Sequence, residues 1–127
     1  MLAQFVHAQR TLLVVDDDND TRHLTRIRLE RAFPGITVLE AIDRQSAVPA
    51  AARQPIDAVI TDHHLGTEEG AGMIAQLRQA GVRGPIVMFT GSSDPAVYER
   101  AYAAGAAHVF AGRDTDFVAY FRALFAK

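Results

Sequence analysis

The 127-residue chain has no cysteine and no tryptophan, and no apolar run in it approaches the roughly 20 residues that a membrane span needs. Without cysteine there is no disulfide framework and no thiolate metal site, and an intracellular, reducing compartment is the simpler expectation. The opening MLAQFVHAQR is too short and too polar for a secretory signal, so a cytoplasmic protein without a membrane partner is expected. Excess charge is missing as well. A formal net charge of -2 makes no electrostatic case for direct nucleic-acid binding, which favours a basic surface. Repeats, linkers and low-complexity stretches are absent too. What remains, 49% apolar and 22% charged residues, reads as a single domain over 1–127 with a core from about residue 10.

Short apolar runs recur along the chain: TLLVV at 11–15, ITVLE at 36–40, DAVIT at 57–61, PIVMF at 85–89 and HVF at 108–110. Several are apolar at successive positions, as strands covered on both faces require. Helix punctuation lies between them. Asn19 or Asp20 is placed to cap a first helix that ends before Pro34-Gly35. Pro49 is expected near the first turn of the second helix, or to kink it. Met73, Ile74 and Leu77 give the third an apolar face that ends at Gly81. Ser93 or Asp94 with Pro95 starts the fourth, and Gly105 stops it. Phe117, Val118, Phe121, Leu124 and Phe125 form the docking face of the last. Alternating strands and helices with right-handed crossovers make a doubly wound α/β sheet of parallel strands. In such sheets ligands bind beyond the carboxyl ends of the strands. That rule selects Asp16, Asp17 and Asp18, then Asp62, then Thr90 and Gly91, and finally Ala111, Gly112 and Arg113.

Carboxylates converging from two strand ends cannot all ionise at close range without a cation. With oxygen donors dominating and no thiolate, Mg²⁺ is the natural candidate. A metal-neutralised carboxylate is a nucleophile toward phosphorus, and a nearby hydroxyl such as Thr90 can orient phosphoryl oxygens. Acids at strand ends are also ordinary turn formers and helix caps, the better reading for Asp18, Asn19 and Asp20. An EF-hand loop starting at Asp16 would need Gly and Glu where Thr21 and Ile27 stand. The D-x-D-x-T/V phosphatase motif meets Asp20 or Arg22 at its fifth position, depending on where it starts.

Taken together, LLVVDDDNDTR (12–22), PIDAVITDHHLGTEEG (55–70), PIVMFTGSSD (85–94) and AAGAAHVF (103–110) resemble the receiver domain of two-component response regulators, of the chemotaxis type. The resemblance implies a flavodoxin-like five-stranded sheet with strand order 2-1-3-4-5 and Mg²⁺-dependent phosphorylation of an aspartate. By position, Asp62 matches the phosphoacceptor and Asp17 the direct metal ligand. Asp16 matches the acid that holds a metal-bound water, His64 the residue lending its backbone carbonyl to the metal, and Thr90 the switch hydroxyl. The implied partners are a histidine kinase or histidine phosphotransfer protein and a downstream protein target. The chain would accept a phosphoryl group and lose it by hydrolysis, rather than turn over an external substrate, as a monomer or weak homodimer.

The sequence departs from this pattern at several places. Gly112 stands where the family has lysine and Arg113 where it has proline, so Arg113 is the candidate compensating cation. Val109 occupies the usual switch aromatic's position, with Phe110 one place on, and Gly66 replaces a proline. A pseudo-receiver, acting as a phosphorylation-independent interaction module, is therefore the alternative. Arg22, His23, Arg26, Arg28 and Arg31 make the first helix basic, either as a solvated face or as a docking surface, and Tyr98 and Tyr102 lie one turn apart on the fourth. Adjacent side chains leaving a strand point to opposite sides, so Asp62, His63 and His64 are not expected to clasp one metal.

Overall fold

The computed structural model describes residues 10–65, 68–112 and 116–126. Its elements are β1 (Thr11–Val15), α1 (Asn19–Ala32), β2 (Thr37–Ala41), α2 (Arg44–Arg53), β3 (Ala58–Asp62), α3 (Gly70–Gln79), β4 (Ile86–Thr90), α4 (Pro95–Ala104), β5 (His108–Ala111) and α5 (Phe117–Phe125). The strands are parallel in the order β2-β1-β3-β4-β5, the expected doubly wound, flavodoxin-like sheet. Between β3 and α3 a short antiparallel ladder pairs His64–Leu65 with Glu68–Glu69.

Both faces of the sheet are covered, which is why its strands are apolar at consecutive positions. Leu12, Val14, Ala58, Ile60, Val87, Phe89 and Phe110 pack under Leu29 of α1 and Phe117 and Phe121 of α5. Leu13, Val15, Val59, Ile86, Met88 and Val109 pack on the other face, under Ala47 and Ala51 of α2, Met73, Ile74 and Leu77 of α3, and Val97 and Ala101 of α4. Full burial of Phe117 and Phe121 contributes about 1.5–3 kcal/mol each. That contribution explains why the short α5 docks firmly.

One local expectation is corrected and one is refined. The N-cap of α1 is Asp18, whose side chain accepts the Thr21 N–H at 3.0 Å, so neither Asn19 nor Asp20 caps it. Pro49 is the sixth residue of α2, beyond its first turn. That helix is anchored by a capping box between Asp43 and Ser46 and by its buried Ala47 and Ala51, which offset the cost of an interior proline. The α4 boundaries fall as expected, with Asp94 capping, Pro95 at the first position and Gly105 closing the helix at φ +115°.

Candidate functional site

Three strand ends build the site. Because Val15 pairs with Thr61 and Asp62 with Phe89, the residues after β1, at the end of β3 and at the end of β4 share one edge of the sheet. Asp16, Asp17 and Asp62 each bring a carboxylate oxygen within 4.8 Å of the others. Asp16 is buried, Asp62 half-buried and Asp17 exposed, so the cluster opens to solvent on one side.

The acidic turn is braced from α1. Asp16 donates its N–H to the Ala41 carbonyl at 3.0 Å and accepts the Asp18 N–H on Oδ1 at 2.9 Å. Arg22 donates to the Asp16 carbonyl at 2.9 Å, to Glu40 at 2.8 Å and to Asn19 at 2.8 Å. Arg26 also reaches Glu40 at 2.8 Å, and its hydrogen bond is the main reason the Glu40 carboxyl sits below the usual carboxylate range, with Arg22 adding to the effect. Arg28 lies over the Phe117 ring at 4.6 Å. Much of the basic run on α1 is thus tied into the fold.

Beyond Asp62 the side chains no longer alternate as expected. The strand ends there and the chain bends, so the His63 and His64 rings lie on one side, tilted by 33° with centroids 4.0 Å apart. His63 is buried and His64 exposed. Among the described residues, the candidate metal group contains Asp62 and neither histidine. Thr90, also buried, places Oγ1 2.9 Å from His63 Nδ1 and accepts the Ser92 N–H at 3.0 Å. This His63–Thr90 contact escaped the sequence reading. The available signal was register, since pairing Asp62 with Phe89 sets His63 beside Thr90. Burial holds the His63 imidazole below its usual pKa, and the neighbouring His64 acts in the same direction.

The ladder also disposes of the His64 backbone. Gly70 N–H bonds to the His63 carbonyl at 2.7 Å, which makes His64 and Glu69 a non-hydrogen-bonded pair and leaves the His64 carbonyl outside the ladder. Gly70 is required here, because a Cβ on it would come 2.7 Å from the Asp62 carbonyl oxygen and 2.9 Å from Met88 Sδ.

At the end of β5, Gly112 has φ +95° and donates its N–H to the Thr90 carbonyl at 2.7 Å. The position expected to carry lysine therefore has a backbone that favours glycine. Arg113 and Gly66 lie outside the described residues. Val109 and Phe110 are both buried but on opposite faces, and Phe110 stacks on Phe89 on the α1/α5 side. Phe110 is thus turned away from the face on which α4 packs. Tyr98 is half-buried against the core and donates to the Ser92 carbonyl at 3.2 Å. Tyr102 is exposed and accepts the Val109 N–H at 3.2 Å.

Three converging carboxylates, with no thiolate in the chain, suit a hard divalent cation and not a soft one. A parallel α/β sheet with an acidic cluster at its carboxyl edge defines the class. A family model described as the response regulator receiver domain matches residues 12–111, and the chain belongs to that family. Among solved structures it is similar to a response regulator protein from Burkholderia pseudomallei with a phosphorylated aspartic acid, calcium ion and citrate, at 25% identity and TM-score 0.80 over 91% of this chain and 66% of that one. It is also similar to a LuxR-family two-component response regulator from Aurantimonas, at 27% identity and TM-score 0.80 over 93% of this chain and 86% of that one. The receiver domain of a sensor histidine kinase from Pseudomonas aeruginosa, with a magnesium ion coordinated in the active-site cleft, shares the fold at 22% identity and TM-score 0.75 over 92% of this chain and 94% of that one. No helix among the described residues is long and apolar enough to cross a membrane.

Proposed function

We propose that residues 1–127 act as one receiver unit in a two-component phosphorelay, phosphorylated on Asp62 and working through protein contacts. The convergence of the Asp16, Asp17 and Asp62 carboxylates at the carboxyl edge of the sheet is the observation that carries this reading. Asp17 and Asp62 would hold Mg²⁺ directly, with the His64 carbonyl as a further oxygen ligand and Asp16 acting through a bound water. When bound, the cation neutralises the carboxylates and the phosphoryl oxygens. Asp62 supplies the nucleophilic oxygen. It forms a P–O bond as the P–N bond of a partner's phosphohistidine breaks, and the departing imidazole keeps the electron pair and takes up a proton. The Thr90 hydroxyl, at the end of the neighbouring strand, can receive a phosphoryl oxygen. Hydrolysis of the aspartyl phosphate resets the site.

The donor on this reading is a histidine kinase or histidine phosphotransfer protein, with the basic α1 beside the acidic turn as its docking face. The product of the switch is altered contact with a protein target, in the cytoplasm. Arg113, next to Gly112 in sequence, is the candidate for the cation that lysine would supply. A second reading, a pseudo-receiver in which phosphorylation is uncoupled from shape, is favoured by the positive φ of Gly112 and by the burial of Phe110 on the face away from α4.

The test is incubation with acetyl phosphate and Mg²⁺. An acid-stable, base-labile phosphoryl adduct that disappears in Asp62→Asn is expected, and no adduct at saturating donor sinks the first reading. An adduct that leaves the α4 amide resonances unmoved selects the second. Arg113→Ala in the same assay should slow adduct formation if that side chain supplies the cation.

A further inference from the structure

A buried polar bond not required by the acidic cluster ties the end of β3 to the end of β4. His63 is 6% exposed and Thr90 is 2% exposed, with Nδ1 and Oγ1 2.9 Å apart. The Ser92 N–H occupies one of the two lone pairs of the Thr90 hydroxyl at 3.0 Å, and with the imidazole protonated on Nε2 the hydroxyl proton is donated to Nδ1.

The His63 backbone is held on both sides. Its N–H is held by the Phe89 carbonyl at 2.8 Å and by Asp62 Oδ1 at 2.9 Å, and its carbonyl by the Gly70 N–H at 2.7 Å. Its ring is backed by His64. Thr90 is the last residue of its strand, and a rotation about its Cα–Cβ bond is enough to redirect the hydroxyl. From Thr90 the contacts continue to the start of α4. Ser92 Oγ accepts the N–H of the α4 cap Asp94 at 3.1 Å, and the Ser92 carbonyl accepts from Tyr98 at 3.2 Å.

We propose that His63 is a positioning residue that holds the Thr90 hydroxyl in the unphosphorylated protein, so that a phosphoryl group on Asp62 must compete with the imidazole for that hydroxyl before α4 responds. This rests on the reading of Asp62 as phosphoacceptor. With glycine at 112, the hold on Thr90 comes from the residue beside the nucleophile. His63 thereby sets the threshold of the switch.

The experiment is a titration of beryllofluoride with Mg²⁺, a phosphoryl analogue, followed through the Ser92 and Tyr98 amide resonances in wild type, His63→Phe, His63→Gln, Thr90→Val and the His63→Phe/Thr90→Val double variant. His63→Phe keeps a buried ring but removes the acceptor, and it should tighten binding by about 3- to 10-fold, the net worth of one hydrogen bond. His63→Gln, which retains an acceptor, should stay near wild type, and His63→Phe should have no effect once Thr90 is valine. Equal tightening in the Thr90→Val background, or none in the wild-type background, overturns the proposal while leaving Asp62 intact. No binding to wild type at all sinks the Asp62 reading and this proposal with it. An arm free of metal and ligand guards against a misfolded variant: Thr90→Val must shift the His63 ring ¹⁵Nδ1 resonance, and an unmoved resonance overturns the proposal.

Discussion

Restoring a lysine at position 112 should fail, and the reason lies in the backbone. Gly112 has φ +95°, beyond the small left-handed region open to L residues, and a Cβ built there meets nothing within 4 Å. The penalty for any side chain is therefore conformational and not steric. Left-handed backbone costs an L residue roughly 1–2 kcal/mol, so Gly112→Ala and Gly112→Lys should lose that amount equally. For a chain of this size the thermal midpoint falls by about 4–10 °C. Gly112→Asn should lose less, because asparagine tolerates positive φ. Thermal or urea unfolding of the three variants gives the stabilities, and adduct formation with acetyl phosphate reports on whether the new ammonium reaches the site. The expected result is a stability loss without faster phosphorylation. If Gly112→Lys is as stable as wild type and is phosphorylated faster, the turn is free to rearrange and the reasoning is refuted.

Other consequences can be checked independently. Asp17→Asn and Asp16→Asn should each weaken Mg²⁺ binding by tenfold or more, about 1.4 kcal/mol, measured by calorimetric titration, because each removes a charge from the three-carboxylate cluster. Gly70→Ala should destabilise by about 1–3 kcal/mol in urea unfolding, since its methyl would meet the Asp62 carbonyl and Met88. Glu40 has a folded pKa held below its unfolded value, chiefly by the hydrogen bond from Arg26. Its contribution is complete above the unfolded value of 4.5 and is lost as pH falls through the folded one, so Glu40→Gln should flatten the acid limb of the stability profile below about pH 4.5. Arg78→Met should cost about 1–3 kcal/mol, because the half-buried guanidinium donates to the Val82, Gly84 and Gly105 carbonyls and leaves them without that partner when removed.

Legibility followed burial. Strand positions and the α4 caps could be read because a strand covered on both faces must be apolar throughout, and because Asp-Pro and Gly carry their own backbone chemistry; the strand order came from the resemblance to receiver domains. Asp16, Asp17 and Asp62 could be read as one cluster because the carboxyl ends of parallel strands share an edge. Illegible were the features that depend on register and on local competition between equivalent residues. Asp18, Asn19 and Asp20 all have capping chemistry, and the choice among them is settled by where α1 begins. Pro49 is expected near the first turn or at a kink because propensity weighs against it elsewhere, and the packing of Ala47 and Ala51 keeps α2 helical through it.

The histidines show the same limit where it matters most. Alternation predicted that His63 and His64 diverge, and it holds only while a strand continues; β3 stops at Asp62, so both rings turn to one side. Alternation in β5 does persist, and it sends Phe110 to the α1/α5 face and Val109 to the other. The same periodicity thus removes the aromatic from the α4 side, and its failure two strands away delivers an imidazole to Thr90. A polar group that is buried and bonded at 2.9 Å must be broken from its partner before Thr90 can move, whereas an aromatic ring would need only space. On the proposed role of His63, coupling is set by exchange of hydrogen bonds at Thr90. Its strength should track the acceptor at position 63 and be indifferent to the ring at 110.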